Sequence, residues 1–233
     1  MASQRGQLVA IIPALDEAAT IKAVVESVRE FVDRVIVVDN GSTDATATRA
    51  ADAGAEVARQ PVRGYGAACL AAQAHLGQDD DDTILVFIDG DGQSDPADIP
   101  SLVAPITAGN ADLVIGSRAL GAEPGALSVV QRFGNWLAAR LLARLYGAEA
   151  TDLGPTRSLR LGTLRRLAMR DRGFGWTVEM QVRAAIEGLR VLEVPVRYRR
   201  RAGGDSKISG TLVGSFRAGT TILWTLHSAR RRR

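Results

Sequence analysis

The sequence predicts a three-layer α/β/α sandwich around a mostly parallel central sheet. Five short apolar runs mark the strands in the first half of the chain: Leu8–Ile12, Val35–Val38, Glu56–Ala58, Ile84–Ile88 and Leu113–Ile115. The third run is weak, but the others are nearly continuous rather than alternating, which suits strands covered on both faces. Helical patterns separate the runs, and strand–helix alternation with right-handed crossovers builds a parallel sheet between two helical layers.

The helices of the first half are predicted from apolar stripes and capping residues. Between Glu17 and Val32 the apolar side chains form one helical stripe. Ser42, Thr43 and Asp44 are assigned to capping of a helix that runs to Ala53, with Gly54 as its stop. Two further helices are expected, over Tyr65–Leu76 and from the N-cap pair Asp95-Pro96 to Ile106.

The pattern changes after Ser117, where a long amphipathic helix in "GALSVVQRFGNWLAARLLARLYG" is predicted to end at Gly147. The elements expected after it are a strand at "TRSLRL", a helix near Val178–Glu187, a strand over Leu189–Tyr198 and a helix near Leu212–His227. No repeat and no Pro/Ser-rich linker interrupts the chain. One continuous domain over residues 1–233 is therefore expected, with its C-terminal part covering one end of the sheet.

Composition is that of an ordinary globular protein of 233 residues, with 46% hydrophobic and 24% charged residues. A single cysteine, Cys69, permits no intrachain disulfide, and with only two histidines it argues against structural zinc. The N-terminus is not a secretory signal and no window offers about 20 apolar residues, so no membrane span and a cytoplasmic location are expected. The basic cluster "RYRRRAGGDSK" (197–207) suggests an anion site, whereas the terminal "ARRRR" is expected to be solvated.

Two carboxylates follow the fourth apolar run in "ILVFIDGDGQSDP". Asp89 and Asp91 can direct hard oxygens at one point, while Gly90 and Gly92 allow a sharp turn and leave room for a ligand. Adjacent ionised carboxylates repel each other without a cation, and two carboxylates with open positions suit Mg²⁺ or Mn²⁺ shared with substrate phosphates. A calcium EF-hand fails on the spacing of its glycine and glutamate. The acidic run Asp79–Asp82 precedes the strand and is expected to be a solvated loop.

Other polar groups follow neighbouring strands. Asp39, in "VVDNGSTD", can accept hydrogen bonds from a nucleobase N–H. Gly64 and Gly66, in "RGYGAACLAA", form a weak dinucleotide fingerprint that lacks the third glycine in register. In open α/β sheets ligands bind beyond the carboxyl ends of the strands, so these groups are expected to converge there.

Five motifs in order carry a resemblance to a known family: "IIPALDE", "VVDNGSTD", "FIDGDGQSDP", "VIGSR" and "RRAGGDSKISG". Over Leu8 to Gly210 the chain resembles a family 2 glycosyltransferase of the GT-A (nucleotide-diphospho-sugar transferase) fold. Its pattern is most similar to the dolichyl- or polyprenyl-phosphate sugar synthases. The resemblance divides the domain into a nucleotide-sugar-binding half (1–117), an acceptor-side half (118–210) and a C-terminal amphipathic helix with a basic tail (211–233).

The resemblance implies roles for several residues. It implies that the nucleotide part of the donor is held by Pro13, Ala14, Glu17, Asp39 and, through its loop, Gly64. It implies that Asp89 and Asp91 form the metal-binding DXD motif, with Gln93 helping to hold the metal, Asp89 contacting the donor and Asp91 essential to turnover. It implies that Arg201, Ser206 and Lys207, which match Arg-x-x-Gly-x-Ser-Lys, close over the diphosphate. Asp16 and Asn40 depart from the family's usual Asn and Asp, which leaves the identity of the base open.

The acceptor side is less defined. Asp152 and Glu179 are the candidates for a general base, although Glu179 is equally explained by the dipole of the helix it begins. Arg157 and Arg160 are expected to face one side of a strand, either to bind an acceptor phosphate or as a solvated face. The segment "TLVGSFRAGTTILWTLHSARRRR" is expected to pack on the sheet, with peripheral contact to anionic lipid at the inner membrane face as the alternative.

The predicted function is metal-dependent transfer of a sugar from a nucleotide-diphosphate sugar to an acceptor, for which polyprenyl phosphate is one candidate. The resemblance implies that the transfer inverts the sugar. A sugar nucleotidyltransferase is one alternative, but "PALDEAAT" lacks the Gly-rich basic loop that such enzymes carry after the first strand. A non-catalytic nucleotide- or nucleic-acid-binding module is the other. With 5% aromatic residues the chain offers little for base stacking, so nucleic acid is not an expected partner.

Overall fold

The computed structural model describes residues 6–200, in which a seven-stranded sheet carries helices on both faces. The strands are β1 (Leu8–Ala14), β2 (Arg34–Asp39), β3 (Glu56–Arg59), β4 (Ile84–Phe87), β5 (Leu113–Ser117), β6 (Arg157–Arg160) and β7 (Val191–Pro195). The helices are α1 (Ile21–Val28), α2 (Thr46–Asp52), α3 (Tyr65–Leu76), α4 (Ile99–Thr107), α5 (Arg118–Gly121), α6 (Val129–Tyr146), α7 (Leu161–Leu167) and α8 (Trp176–Ile186). A 3₁₀ turn over Pro96–Asp98 precedes α4.

The strand order is β3-β2-β1-β4-β6-β5-β7, and every pairing is parallel except the two that β6 makes with β4 and β5. The predicted mostly parallel α/β/α sandwich is therefore confirmed. The chain winds outward from β1 to β3 and then returns to place β4 on the other side of β1. Such a reversal opens a crevice between the carboxyl ends of β1 and β4, where open sheets bind their ligands.

Neighbouring residues of the central strands pack on opposite faces of the sheet. Ile12 and Val37 join the cluster that includes residues of α1 and α4, whereas Ile11 and Ile36 join the cluster with residues of α3, α7 and α8. All four side chains are fully buried. Burying such a side chain contributes about 1.5–3 kcal/mol, and burial on both faces explains why the apolar runs are continuous.

Helix α6 is covered on one side only. Ala138 and Leu142 pack on Val178 and Val182 of α8 in a third apolar cluster, which also includes Leu153. The helix begins with a capping box between Ser128 and Gln131 and ends at Gly147, whose φ of 67° lies in the left-handed region. The predicted end of this helix is confirmed.

The start of α2 differs from the prediction. Asp44 Oδ1 accepts the Thr46 N–H at 2.9 Å, but the Ser42 and Thr43 hydroxyls do not cap the helix. The Ser42 hydroxyl instead accepts the N–H of Asp16 at 2.9 Å, and Thr43 binds the Asp16 carboxylate. The assignment of Ser42 and Thr43 to capping is therefore wrong, because both serve the loop after β1.

Two helices lie where none was predicted, α5 and α7. Leu161, Leu164 and Leu167 recur every three residues in α7 and are buried against the sheet. This spacing is typical of a helix. The segment is short and directly follows a strand, so the helix was not recognised from the sequence. The predicted helix near Leu212–His227 lies outside the described residues, and the three-part division of the domain stays a prediction.

Between residues 6 and 200, none of the helices combines the length and the apolar character that a bilayer-spanning segment needs.

Candidate active site

Polar side chains from five segments lie at one edge of the sheet. This edge holds the carboxyl ends of β1, β2, β4, β5 and β7 and the amino end of the antiparallel β6. The polar residues that follow or precede these strands there are Asp39, Asp89, Asp91, Arg118, Asp152 and Tyr198. The crevice between β1 and β4 lies at the same edge, so this is the candidate active site.

The carboxylate pair is held in a fixed turn after β4. The Thr20 hydroxyl donates to the carbonyl oxygen of Gly90 at 2.7 Å, and the N–H of Gln93 donates to Asp91 Oδ1 at 3.0 Å. Burial, and then the charge of Asp91, raises the pKa of Asp89 to about 7. The turn thus places two mutually repelling carboxylates in a partly dehydrated position, where a cation would relieve the repulsion.

The donor set of this turn fits a Mg²⁺ or Mn²⁺ ion that shares its coordination with substrate phosphates. Asp89 and Asp91 provide two carboxylates, and among residues 6–200 no cluster of three acidic, histidine or cysteine side chains offers an all-protein cage. Gln93 does not join them in this conformation. Its Oε1 accepts the Tyr198 hydroxyl at 3.2 Å and its Nε2 donates to the Arg199 carbonyl at 2.9 Å. The expectation that Gln93 faces a metal is therefore not met.

Gly90 and Gly92 are required in this turn for different physical reasons. Gly92 has a φ of 75°, which favours glycine, so the predicted sharp turn is present. A Cβ on Gly90 would contact Ile21 Cδ1 at 3.3 Å and Ile12 Cγ2 at 3.4 Å, inside the apolar core. Gly90 therefore allows the turn to pack closely on α1. The expectation that it leaves room for a ligand is not met.

The loops after β1 and β2 brace each other. Asp16 has a φ of 49°, and its Oδ1 accepts the Thr43 N–H at 2.6 Å. Asp39 Oδ1 accepts the Ser42 N–H at 3.1 Å, and the Thr46 hydroxyl accepts the Glu17 N–H at 2.8 Å. Pro13 and Glu17 are half-buried and Ala14 is buried at the same edge. The residues expected to hold the nucleotide therefore lie together on two adjacent loops.

The Asn40 side chain holds the loop after β3 in place. Its side chain is 4% exposed, and its Nδ2 donates to the carbonyl oxygens of Gln60 and Val62 at 3.0 and 2.9 Å. Its Oδ1 accepts the Gly64 N–H at 2.7 Å. All of these bonds hold the backbone of the loop after β3. An aspartate could not donate the two bonds that the Asn40 amide donates, which gives the departure from Asp a structural reason.

Gly64 and Gly66 are required by a close approach of backbone. A Cβ on Gly64 would collide with the carbonyl oxygen of Arg172, and one on Gly66 with that of Asp171. The N–H of Gly66 donates to the Gly173 carbonyl oxygen at 3.0 Å. The glycine pattern that resembled a weak dinucleotide fingerprint therefore packs the start of α3 against the 171–173 loop, and the nucleotide role of Gly64 stays a prediction.

Arg118 is the functional residue that sequence reasoning left without a role. It follows β5, and its guanidinium binds both oxygens of Asp152, with Nε–Oδ2 at 2.8 Å and Nη2–Oδ1 at 2.9 Å. Burial opposes its charge, but the bond to Asp152 together with the nearby negative charges of Asp152 and Asp89 holds the pKa of Arg118 above its ordinary value. The motif "VIGSR" contained the only signal, the position of an arginine at a strand end.

Asp152 is not placed to act as a general base. It is 1% exposed, and both of its oxygens are bound by Arg118, whose backbone N–H adds a third bond at 2.7 Å. Glu193 of β7 accepts the N–H of Thr151 at 2.9 Å and that of Asp152 at 3.2 Å. The carboxylate expected to take a proton thus fixes the guanidinium of Arg118.

Glu179 is also engaged in a structural role. Its Oε2 accepts the N–H groups of Arg170 and Asp171 at 3.0 and 2.7 Å, and its Oε1 accepts Arg183 Nε at 2.8 Å. The first two bonds fasten the loop that packs on the start of α3. Glu179 therefore holds the backbone of residues 170–171 and the Arg183 side chain in place. This structural role differs from the two that the sequence suggested, a catalytic base and a residue placed for the helix dipole.

The expectation that Arg157 and Arg160 face one side of a strand is wrong, because they lie three residues apart on β6. Arg157 is fully buried, donates to the carbonyl oxygens of Pro155 and Thr177 at 3.2 and 3.1 Å, and stacks over the Trp176 ring. Arg160 pairs in register with Ile84 at the amino end of β4 and binds Asp82. That end of the strand is opposite the carboxylate pair, so Arg160 does not reach the site. Arg157 pairs with Phe87 at the carboxyl end of β4, but its side chain is fully buried and bound to backbone carbonyl oxygens.

Tyr198 joins the carboxylates to Arg118. Its ring lies 5.3 Å from the Arg118 guanidinium carbon, and burial, followed by the charges of Asp91 and Asp89, raises the pKa of its hydroxyl above the usual value. The tyrosine follows β7 and was predicted only as part of a strand. Its position therefore depends on how β7 packs beside β5.

The basic cluster that suggested an anion site is partly used in the fold. Arg197 binds Asp98 at 2.9 Å, and Arg199 binds the capping residue Asp95 at 2.7 Å. Arg200 donates to the Pro124 carbonyl oxygen at 2.6 Å. These three arginines anchor the end of the described chain, and the predicted diphosphate-binding residues Arg201, Ser206 and Lys207 lie outside it.

A groove of about 1050 Å³ begins beside Arg118 and runs between residues 118–127 and α6. Phe133 and Trp136 form its apolar wall. Arg132 and Arg140 also line it, so with Arg118 three arginines contribute to the lining. The groove can therefore receive a ligand that is anionic at one end and apolar along its length.

Comparison with known proteins shows which family the chain resembles in sequence and structure. The family model "Glycosyl transferase family 2" matches residues 9–160. An uncharacterized glycosyltransferase of Mycobacterium tuberculosis is 40% identical over 209 residues, covering 88% of this chain and 91% of that one. The undecaprenyl-phosphate mannosyltransferase of Micrococcus luteus is 32% identical over 224 residues, covering 89% and 90%. A structure of M. tuberculosis glucosyl-3-phosphoglycerate synthase with Mn²⁺, uridine diphosphate and glucosyl-3-phosphoglycerate is 27% identical, with a TM-score of 0.74 over 96% of this chain and 80% of that one.

Proposed function

The chain belongs to glycosyl transferase family 2, and we propose that it transfers a sugar from a nucleotide-diphosphate donor to the phosphate of a polyprenyl phosphate, with inversion at the sugar. The donor class is supported by the similar synthase structure that contains uridine diphosphate and Mn²⁺. The acceptor class is supported by the similar undecaprenyl-phosphate mannosyltransferase. The observation that carries the proposal is the groove lined by Arg118 and by the apolar side chains Phe133 and Trp136. The charge of Arg118 also acts on Asp89, which links the groove to the carboxylate pair.

On the donor side, the loops after β1 and β2 would hold the base, with Asp39 accepting from a base N–H. Asp89 and Asp91 would hold the metal ion together with the diphosphate. When bound, the ion would neutralise charge that develops on the departing nucleoside diphosphate. The two carboxylates would thereby fix the diphosphate at the crevice between β1 and β4.

On the acceptor side, Arg118 would bind the phosphate, since its guanidinium is held rigid by Asp152 and planar donors match phosphate oxygens. The apolar wall at Phe133 and Trp136 would accommodate the first isoprene units. Binding at Arg118 would bring an acceptor phosphate close to the carboxylate pair that is proposed to hold the donor, since the charge of Arg118 acts on Asp89. Proximity of this kind lowers the barrier by removing the cost of bringing two reactants together.

A phosphate acceptor agrees with the state of the two candidate bases. A phosphate is already an anion at neutral pH and needs no proton removed before it attacks, whereas a sugar hydroxyl does. Asp152 and Glu179 are both bound to arginines and backbone N–H groups. Neither is required as a base under this proposal.

The test is a transfer assay with purified protein, UDP- and GDP-sugars, and Mg²⁺ or Mn²⁺. Undecaprenyl phosphate and phosphoglyceric acid are offered as separate acceptors, because the similar synthase was crystallised with the latter. We expect product only with the lipid phosphate, and Arg132→Gln in the groove to raise its KM. Arg166→Gln, an exposed arginine on α7, is the matched control. Transfer to phosphoglyceric acid alone would refute the lipid acceptor while leaving the donor assignment intact.

A further inference from the structure

Helix α6 exposes an unusual amount of apolar surface. Its exposed large apolar side chains are Val129, Val130, Phe133, Trp136, Leu137 and Leu145. Val129 is 81% exposed, Phe133 61% and Trp136 52%. Phe133 and Trp136 also contact each other, with ring centroids 5.8 Å apart. A cluster of exposed apolar side chains of this kind marks an interaction surface, so we expect the outer face of α6 to contact a partner.

The charge on this helix has one sign. Arg132, Arg140 and Arg144 are its charged residues, and it contains no acidic residue. Arg140 lies over the Trp136 ring at 5.5 Å, beside the apolar patch. The acidic residues at the groove rim are Glu123 and Glu149, and Glu123 already accepts the Arg200 N–H at 3.3 Å. The face of α6 therefore combines aromatic and aliphatic side chains with an excess of arginine.

We propose that the outer face of α6 docks on an anionic lipid bilayer, with Phe133 and Trp136 inserted at the headgroup level and the arginines on lipid phosphates. This composition is that of a helix that lies in a membrane interface, where apolar side chains insert and long cationic side chains reach the headgroups. The inference rests on the proposed function in one respect. The acceptor groove runs along the same helix, so docking would present the groove to lipid-embedded polyprenyl chains.

Charge complementarity favours a bilayer over the protein partners available. A second copy would bring the arginines of two α6 helices together, and like charges across an interface are costly. Residues 211–233 are equally unsuited, because they contain five arginines and no acidic residue. An anionic lipid surface is the partner that satisfies the apolar and the cationic groups together.

The test is co-sedimentation of the full chain with phosphatidylcholine vesicles, with and without phosphatidylglycerol, in the absence of any sugar donor or acceptor. We expect binding only to the anionic vesicles, and a blue shift of tryptophan emission that Trp136→Gln removes. Phe133→Gln with Trp136→Gln should weaken binding about tenfold, and Arg140→Glu by a similar factor, since a charge near an anionic surface is worth several-fold in affinity. All three positions are exposed, so these variants should fold.

Two controls separate α6 from general surface effects. Lys22→Glu reverses an exposed charge on α1. Val62→Gln removes a valine that is 57% exposed and distant from α6 in sequence. Both should bind vesicles like the unmodified protein. Equal binding by the α6 variants, or binding to neutral vesicles alone, would overturn the proposal. So would self-association that the α6 variants abolish, which would assign the face to a second copy. Arg144→Glu reverses an exposed charge on α6 that is not part of the groove lining, so it should weaken vesicle binding. Transfer to a short, water-soluble prenyl phosphate should survive this change, so loss of docking and failure of the proposed function give different results.

Discussion

Arg118 and Asp152 form a bidentate ion pair, with bonds of 2.8 and 2.9 Å, between the end of β5 and the segment that leads into β6. The pair connects two strands that are adjacent in the sheet but separated by a long helical insertion in sequence. Asp152 looks like a base in the sequence, but in this pair it supports the Arg118 guanidinium near Asp89 and Asp91. The predictions below begin from this pair.

Asp152→Asn should act through Arg118. We expect kcat/KM to fall at least tenfold and stability to fall by about 3 kcal/mol, because a buried guanidinium loses its partner. The shape of the pH–rate profile should not change, since no base is lost. Arg118→Gln combined with Asp152→Asn should cost little more than Arg118→Gln alone, measured by kcat/KM and thermal unfolding. Additive losses together with a vanished acid limb would instead identify Asp152 as a base.

Asp91→Ala should abolish metal-dependent turnover. With one carboxylate left, the pair can no longer hold a divalent ion against water, and we expect kcat to fall by about 10²–10³. Isothermal titration of Mn²⁺ with uridine diphosphate should show the loss of metal-assisted binding. Asp82→Asn is the matched control, because Asp82 lies at the opposite edge of the sheet in an exposed ion pair. Intact turnover in Asp91→Ala would remove the metal assignment.

Glu179→Gln should change stability rather than chemistry. The variant weakens the bonds to Arg170, Asp171 and Arg183, so we expect a loss of about 1–3 kcal/mol and a lower melting temperature. At a temperature where the variant is folded, kcat should stay within about threefold of the unmodified protein. Glu187→Gln, exposed at the end of the same helix, should leave both unchanged. A large loss of kcat with an unchanged melting temperature would restore Glu179 as a catalytic residue.

Arg157→Met and Arg160→Met should separate the two arginines of β6. Arg157→Met leaves carbonyl oxygens of Pro155 and Thr177 without their donor in the core, and we expect a loss of about 3 kcal/mol in urea unfolding. Arg160→Met removes a partly exposed pair and should cost less than about 1 kcal/mol. Neither should alter the KM for the acceptor. A raised acceptor KM in Arg160→Met would contradict its position at the far edge of the sheet.

Gly66→Ala should be strongly destabilising although alanine favours helices. The added methyl group would collide with the Asp171 carbonyl oxygen, so we expect a loss of more than about 2 kcal/mol. Gly134→Ala is the matched control on α6, where nothing lies within 4 Å of the new Cβ. That change should stabilise the protein by about 0.5–1 kcal/mol in thermal unfolding. Equal effects of the two substitutions would show that the 171–173 loop does not pack on α3 in solution.

The local pattern of the chain determines much of this molecule. Continuous apolar runs specify buried strands, and Asp95-Pro96, Gly54 and Gly147 specify helix ends, because each depends on a few neighbouring residues. The position of Asp89 and Asp91 at a strand end follows from the same kind of information. Strand ends of a parallel sheet share one edge, so the sequence could also predict where the site lies.

Only the tertiary structure decided what the side chains at that edge do. Asp152, Arg157 and Gln93 looked like candidates for chemistry until the packing gave each of them partners from other segments. Glu179 also has partners, but they lie within nine residues of it in sequence. Arg118 and Tyr198 gained their place beside the carboxylates in the same way. The reason is physical. A charged group's role depends on its burial and on the charges and hydrogen-bond partners around it, and these come from residues that the fold, not the sequence order, brings near.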